Sequence, residues 1–103
     1  MEIKQSLEGE YADYKGKNSD GYGKCCVDAG EKFMNSVDDG KSFEEAESEA
    51  IKGTGMTGFM VGAMMSGICH FHEKGDEIKV WWNKRNGGTP DESGVNNPAI
   101  LTI

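Results

Sequence analysis

The chain lacks most of the features by which a short sequence declares its chemistry. No cysteine pair has C-x-x-C spacing and no histidine pair has H-x-x-x-H spacing. The three cysteines, Cys25, Cys26 and Cys69, are odd in number and follow no framework of spacings. That excludes a secreted disulfide scaffold and points to a reduced, cytoplasmic protein. Positive charge is scarce, with a formal net charge of -7 over 103 residues. Non-specific binding to nucleic acid or to an acidic membrane surface is therefore not expected. The start, Met1-Glu2-Ile3-Lys4, has no charged segment leading into an apolar run, so no secretory signal is visible. The one long apolar stretch, Met56 to Phe71, falls short of the roughly 20 residues of a membrane span. Lys52-Gly53-Thr54-Gly55 looks superficially like a phosphate loop, but the preceding strand and the G-K-[ST] ending are missing.

What is present reads as helix. Asp20 is a candidate N-cap for a first helix over about Gly21 to Val37. Tyr22, Cys26, Ala29, Phe33 and Val37 recur at three-to-four spacing and make its apolar face. Gly40 suits a left-handed C-terminal cap. Ser42 and Glu45 form a capping box for a short second helix, with Phe43, Ala46, Ala50 and Ile51 as its buried edge. The chain from Gly53 to Arg85 then reads as one long central helix starting near Thr54 or Thr57. Its seam is Val61, Met64, Ile68, Phe71, Gly75, Ile78 and Trp82. A stripe of small residues runs beside it through Gly55, Gly58, Gly62, Ser66 and Cys69. Gly75 marks a bend or a close crossing. The first half of this helix is apolar on nearly every side, which in so small a chain predicts a homo-oligomer.

The predicted fold is all-α, with one long central helix and short extended terminal arms. Residues 1–20 are predicted to be a flexible arm in which Tyr11 and Tyr14 stand out. Residues 21–85 are the helical domain, and residues 86–103 a polar loop followed by an apolar arm.

The candidate ligand surface is the end of the central helix. Trp81 shares a helix face with Lys84 and Arg85, so an indole is flanked by two cations. Indole stacks on a base and the cations neutralise phosphate. Tyr22, His70 and Asn83 are placed with this group. The competing reading is a helix end whose Trp81 packs against a loop, its basic residues favoured by the C-terminal dipole. Cys69, His70 and His72 do not amount to a metal site, because Cys69 continues the packing stripe. Adjacent Cys69 and His70 point apart on a helix, so no activated nucleophile is assembled and no enzyme or cofactor is expected. From Asp38 to Glu49, six acids stand against one lysine. This is either a solvated face or a contact for a basic host protein.

Three pieces, TGMTGFMVGAMMS, WWNKR and GVNNPAIL, with GYGK at the start of the first helix, carry a resemblance. The chain resembles small helical proteins encoded by tailed phages and prophages. The resemblance implies an early, host-directed accessory protein, and such proteins include anti-defence factors. One class sequesters nucleotide second messengers in oligomers, and another blocks a nuclease. No established ligand residue of either class maps onto this chain. The expected function is sequestration of a small phosphate-bearing nucleotide in a pocket between subunits. The alternatives are an acidic inhibitor of a host defence nuclease and a virion assembly factor.

Overall fold

A buried histidine turns the chain where a continuous helix was expected. In the computed structural model, which describes residues 2–86, five helices follow one another. They are α1 (Glu8–Lys17), α2 (Gly21–Asp38), α3 (Phe43–Ile51), α4 (Gly58–Phe71) and α5 (Gly75–Asn86). A short 3-10 turn, Gln5–Leu7, leads into α1. No strand forms among the described residues; there is one isolated antiparallel bridge, between Ile3 and His72. None of these helices is long and apolar enough to cross a membrane.

The ends of α2, α3 and α4 follow the capping chemistry in the sequence. Asp20 occupies the N-cap position of α2, although its side chain makes no cap hydrogen bond. Gly40 has φ 95° and closes α2, with its N–H on the Val37 carbonyl at 3.0 Å. The capping box forms at α3: Glu45 N–H donates to Ser42 Oγ at 3.1 Å, and the Glu45 carboxylate accepts from Ser42 N–H at 3.3 Å. Thr57 caps α4 by accepting from Met60 N–H at 3.2 Å. Each such cap contributes about 1 kcal/mol.

The expected single helix from Gly53 to Arg85 is corrected to α4 and α5. The chain leaves α4 at His72, which is extended (φ -81°, ψ 146°). Its imidazole is fully buried. Nδ1 accepts from Lys74 N–H at 2.9 Å, so the ring proton sits on Nε2 and is donated to Asp38 Oδ1 at 2.8 Å. Burial acts to raise the Asp38 pKa, but the hydrogen bond from His72 works against it and the carboxyl lies below its ordinary value. The opened backbone is satisfied by the start of the chain: Lys4 N–H donates to Phe71 O and Glu73 N–H to Glu2 O, both at 2.8 Å. A helix broken in the interior is costly unless its freed groups find partners, and here they do. Gly75 is required by the same turn, because a Cβ there would collide with the Cys69 carbonyl.

The seam residues keep their burial despite the break. Met64, Ile68, Phe71, Ile78 and Trp82 all lie in one core with Phe33, Val37, Ala46 and Ala50. The flexible arm expected over residues 1–20 is also corrected, since most of it is helix. Tyr11 is buried, its ring edge on Phe71 at 5.0 Å. Its hydroxyl donates to Glu31 Oε2 at 2.8 Å. Tyr11 and Tyr14, three residues apart on α1, thus pin a polar helix to α2 and α4. The apolar arm expected after residue 86 lies outside the described residues.

Two consequences are measurable by urea unfolding. Gly75→Ala should cost at least about 2 kcal/mol, as an overpacked backbone contact. Gly30→Ala should be neutral or stabilise by up to about 1 kcal/mol, because a Cβ there meets Met64 Cγ at an ordinary 3.6 Å. The Asp38 contribution has a definite sign. With its folded pKa depressed, it is complete above about pH 4 and lost as the pH falls through the folded value. Asp38→Asn should flatten that acid limb when stability is measured between neutral and low pH.

Candidate functional site

Helix α4 buries Val61, Met64, Met65, Ile68 and Cys69, and leaves its opposite face open. That face carries Phe59, Ala63, Ser66, Gly67 and His70, and α1 and α2 flank it to form a groove of about 580 Å³. The volume falls in the range of small-molecule sites, roughly 300–1,000 Å³. Tyr14 and Asn18 come from the end of α1, and Tyr22, Gly23 and Cys26 from the start of α2.

Side-chain size sets the depth of this groove. Tyr14 lies across α4 at Gly67, where a Cβ would stand 3.1 Å from its hydroxyl. Burial, and then the nearby Cys26, raise the Tyr14 pKa, so the hydroxyl stays protonated at neutral pH. Burial, and then Cys25, likewise raise the Cys26 thiol pKa, so it is no activated nucleophile. At the rim, two large apolar side chains are left in water: Tyr22 is 81 % exposed and Phe59 74 %. Exposed aromatics converging on one concavity mark a binding surface more often than a core defect. His70 Nε2 lies 2.7 Å from Glu10 Oε2 and ties α4 to α1 beside the groove.

The relative direction of α2 and α4 adds an electrostatic feature. Cys26 Sγ lies 3.6 Å from the Met60 carbonyl, and a Cβ on Gly30 would touch Met64 and Ile68. Both sequences therefore rise together and the two helices run parallel. Their N-termini lie at the same end of the groove, near Tyr22 and Phe59. Among the described residues no lysine or arginine lines the groove, so these two dipole ends are its fixed source of positive potential.

The expected site residues divide between two places. Tyr22 and His70 come together in the groove. Tyr22 was expected on the apolar face of its helix, and the α2 face that buries Phe33 and Val37 does open to solvent at this first turn. Trp81, Asn83, Lys84 and Arg85 lie on α5 and do not line the groove. Trp81 is half-buried, with ring centroids 5.6 Å from Phe43 and 6.4 Å from Phe33. The Arg85 guanidinium lies 4.9 Å from the Trp81 ring and 5.4 Å from the Trp82 ring. It is paired with the buried carboxylate of Glu47, Nη2 to Oε2 at 2.8 Å. These two side chains lock α5 onto α3, while Lys84 stays exposed. Tyr14, Asn18 and Phe59 are groove residues that the sequence pattern did not single out for binding. For Phe59 the signal was a central helix apolar on nearly every side, and Tyr14 stood out in a segment read as a flexible arm. Among the described residues, no three His, Cys, Asp or Glu side chains are grouped to hold a metal.

A family model for the type I Thoeris inhibitor Tad4 matches residues 1–103. The chain belongs to the Tad4 family. It is an anti-defence phage protein, as the resemblance in the Gly-Met run, WWNKR and GVNNPAIL implied. No curated protein and no solved structure matches it. The Tad4 match spans the whole chain, so α5 and its Trp81–Arg85–Glu47 lock belong to the same unit as the groove. Removing that lock should unfold a Tad4-family chain before it affects the groove. Arg85→Ala leaves Glu47 buried without its partner and is expected to cost about 2–3 kcal/mol, read by chemical denaturation. Lys84→Ala should change stability by less than about 0.5 kcal/mol.

Proposed function

We propose that this Thoeris inhibitor sequesters a small phosphate-bearing nucleotide signal in the groove between α1, α2 and α4. The supporting observation is the pairing of two exposed aromatics, Tyr22 and Phe59, with the convergent N-termini of α2 and α4. A base stacks on the aromatic rim, since every base offers a π-face to such a ring. The phosphates sit at the end where the helix dipoles and the uncapped first N–H groups of α2 face outward. Sequestration needs no turnover, and no nucleophile or general base is required of the groove. A second copy laid over Phe59 and Ala63 would enclose the ligand, which is how the homo-oligomer reading fits this site. On this reading the protein acts in the cytoplasm, where the signal is.

The acidic-face alternative has less to support it. Of the six acids, Asp38 bonds His72, Glu45 bonds Ser42, Glu47 bonds Arg85 and Glu49 bonds Lys41 at 2.7 Å. Four of the six acids are thus engaged in contacts within the chain, three of them on α3.

Isothermal titration against cyclic and ADP-ribose-type nucleotides tests the proposal. Wild type should bind at least one of them. Tyr22→Ala and Phe59→Ala should each weaken that binding about tenfold or more, given about 1–3 kcal/mol per stacked base. Neither should lower the melting temperature appreciably, since both rings are in water. Wild type that binds no nucleotide would sink the reading.

A further inference from the structure

In the groove that the exposed Tyr22 also lines stands a hydrogen-bond acceptor whose orientation is fixed. Asn18 terminates α1, and its Nδ2 donates to the Tyr14 carbonyl one turn back at 2.8 Å. A carbonyl can only accept, so this bond decides which way the amide is turned. Oδ1 is therefore directed away from α1, towards Gly23 at the start of α2. A Cβ on Gly23 would lie 2.5 Å from Oδ1. The absence of that one carbon lets the oxygen sit against α2. Asn18 and Gly23 both line the groove. Among the described residues no donor reaches Oδ1, although the side chain is half-buried.

We infer that Asn18 Oδ1 reads the exocyclic amine of a nucleobase stacked on Tyr22, so that the groove selects an amino-bearing base over its keto counterpart. The inference rests on the nucleotide reading of the groove and narrows it to a ligand class. An adenine-type base presents an N–H donor to Oδ1. A hypoxanthine-type base presents a carbonyl at the same place, and two acceptors then face each other. A site built around one polar contact rejects the analogue that cannot make it, because its own group is left unpaired. Gly23 is a positioning residue here: it touches no ligand atom but sets where Oδ1 stands.

The test compares ADP-ribose with its hypoxanthine counterpart by isothermal titration on the full chain. Wild type should prefer the adenine form by about tenfold or more. Asn18→Leu should bring the ratio close to one while leaving affinity for the hypoxanthine form within about threefold. Gly23→Ala keeps the amide but displaces its oxygen, and should narrow the ratio in the same direction. Alanine also favours helix at that position, so this variant folds even if Asn18→Leu does not. Equal binding of both bases by wild type would overturn the inference and leave the nucleotide reading standing. So would a preference that survives both substitutions. Binding of neither base would remove the nucleotide reading and this inference with it.

Discussion

The fold depends on a single buried imidazole. His72 holds the end of α2 through Asp38, the start of α5 through the Lys74 amide, and the beginning of the chain through its bridge to Ile3. Its two ring nitrogens are both occupied, which is the condition for placing such a group out of water. Without that turn, α4 and α5 would run on as one rod and α5 would not return over α3. The Arg85–Glu47 pair and the tryptophan cluster would then have nothing to close against. The same bridge region brings the chain start alongside α4. It sets up α1, whose last turn supplies one wall of the groove.

Much of this was legible in the sequence, and the parts that were not share a cause. Caps are local chemistry, so Ser42 with Glu45 and Gly40 could be placed from their neighbours alone, while the start of the central helix stayed open between Thr54 and Thr57. The buried seam was also legible: Met64, Ile68, Phe71, Ile78 and Trp82 are all in the core. Their spacing stays in phase across His72-Glu73-Lys74, so periodicity could not reveal the break. The break is made by partners distant in sequence, Asp38 and residues 2–4, and by the room that Gly75 leaves. Helix α1 was missed for a similar reason. It has little apolar surface, and its stability comes from Tyr11 reaching Glu31 and Phe71 on other helices.

The candidate site shows the same division. A face of α4 that is apolar yet uncovered was readable as a stripe calling for a partner. What covers it was not, because the groove walls come from α1, a segment that reads as loop. Trp81 with Arg85 had the composition of a ligand site, but tertiary packing uses both residues to hold α5. Tyr22 had the spacing of a core residue and stands in water. A solvent-exposed aromatic becomes informative only once its neighbours are known, and here they are Phe59, two parallel helix N-termini and the fixed Asn18 amide. Membership in the Tad4 family gives the biological setting, inhibition of type I Thoeris. The groove is where the proposed sequestration would take place.

The most direct measurement is of what the protein carries out of a defended cell. Wild type would be purified from bacteria with an active type I Thoeris system, heated, and the released small molecules weighed by mass spectrometry. The account predicts a phosphate-bearing nucleotide released from wild type and absent from a Tyr22→Ala, Phe59→Ala double variant that remains folded. A wild-type protein that suppresses the defence yet releases no nucleotide would contradict it.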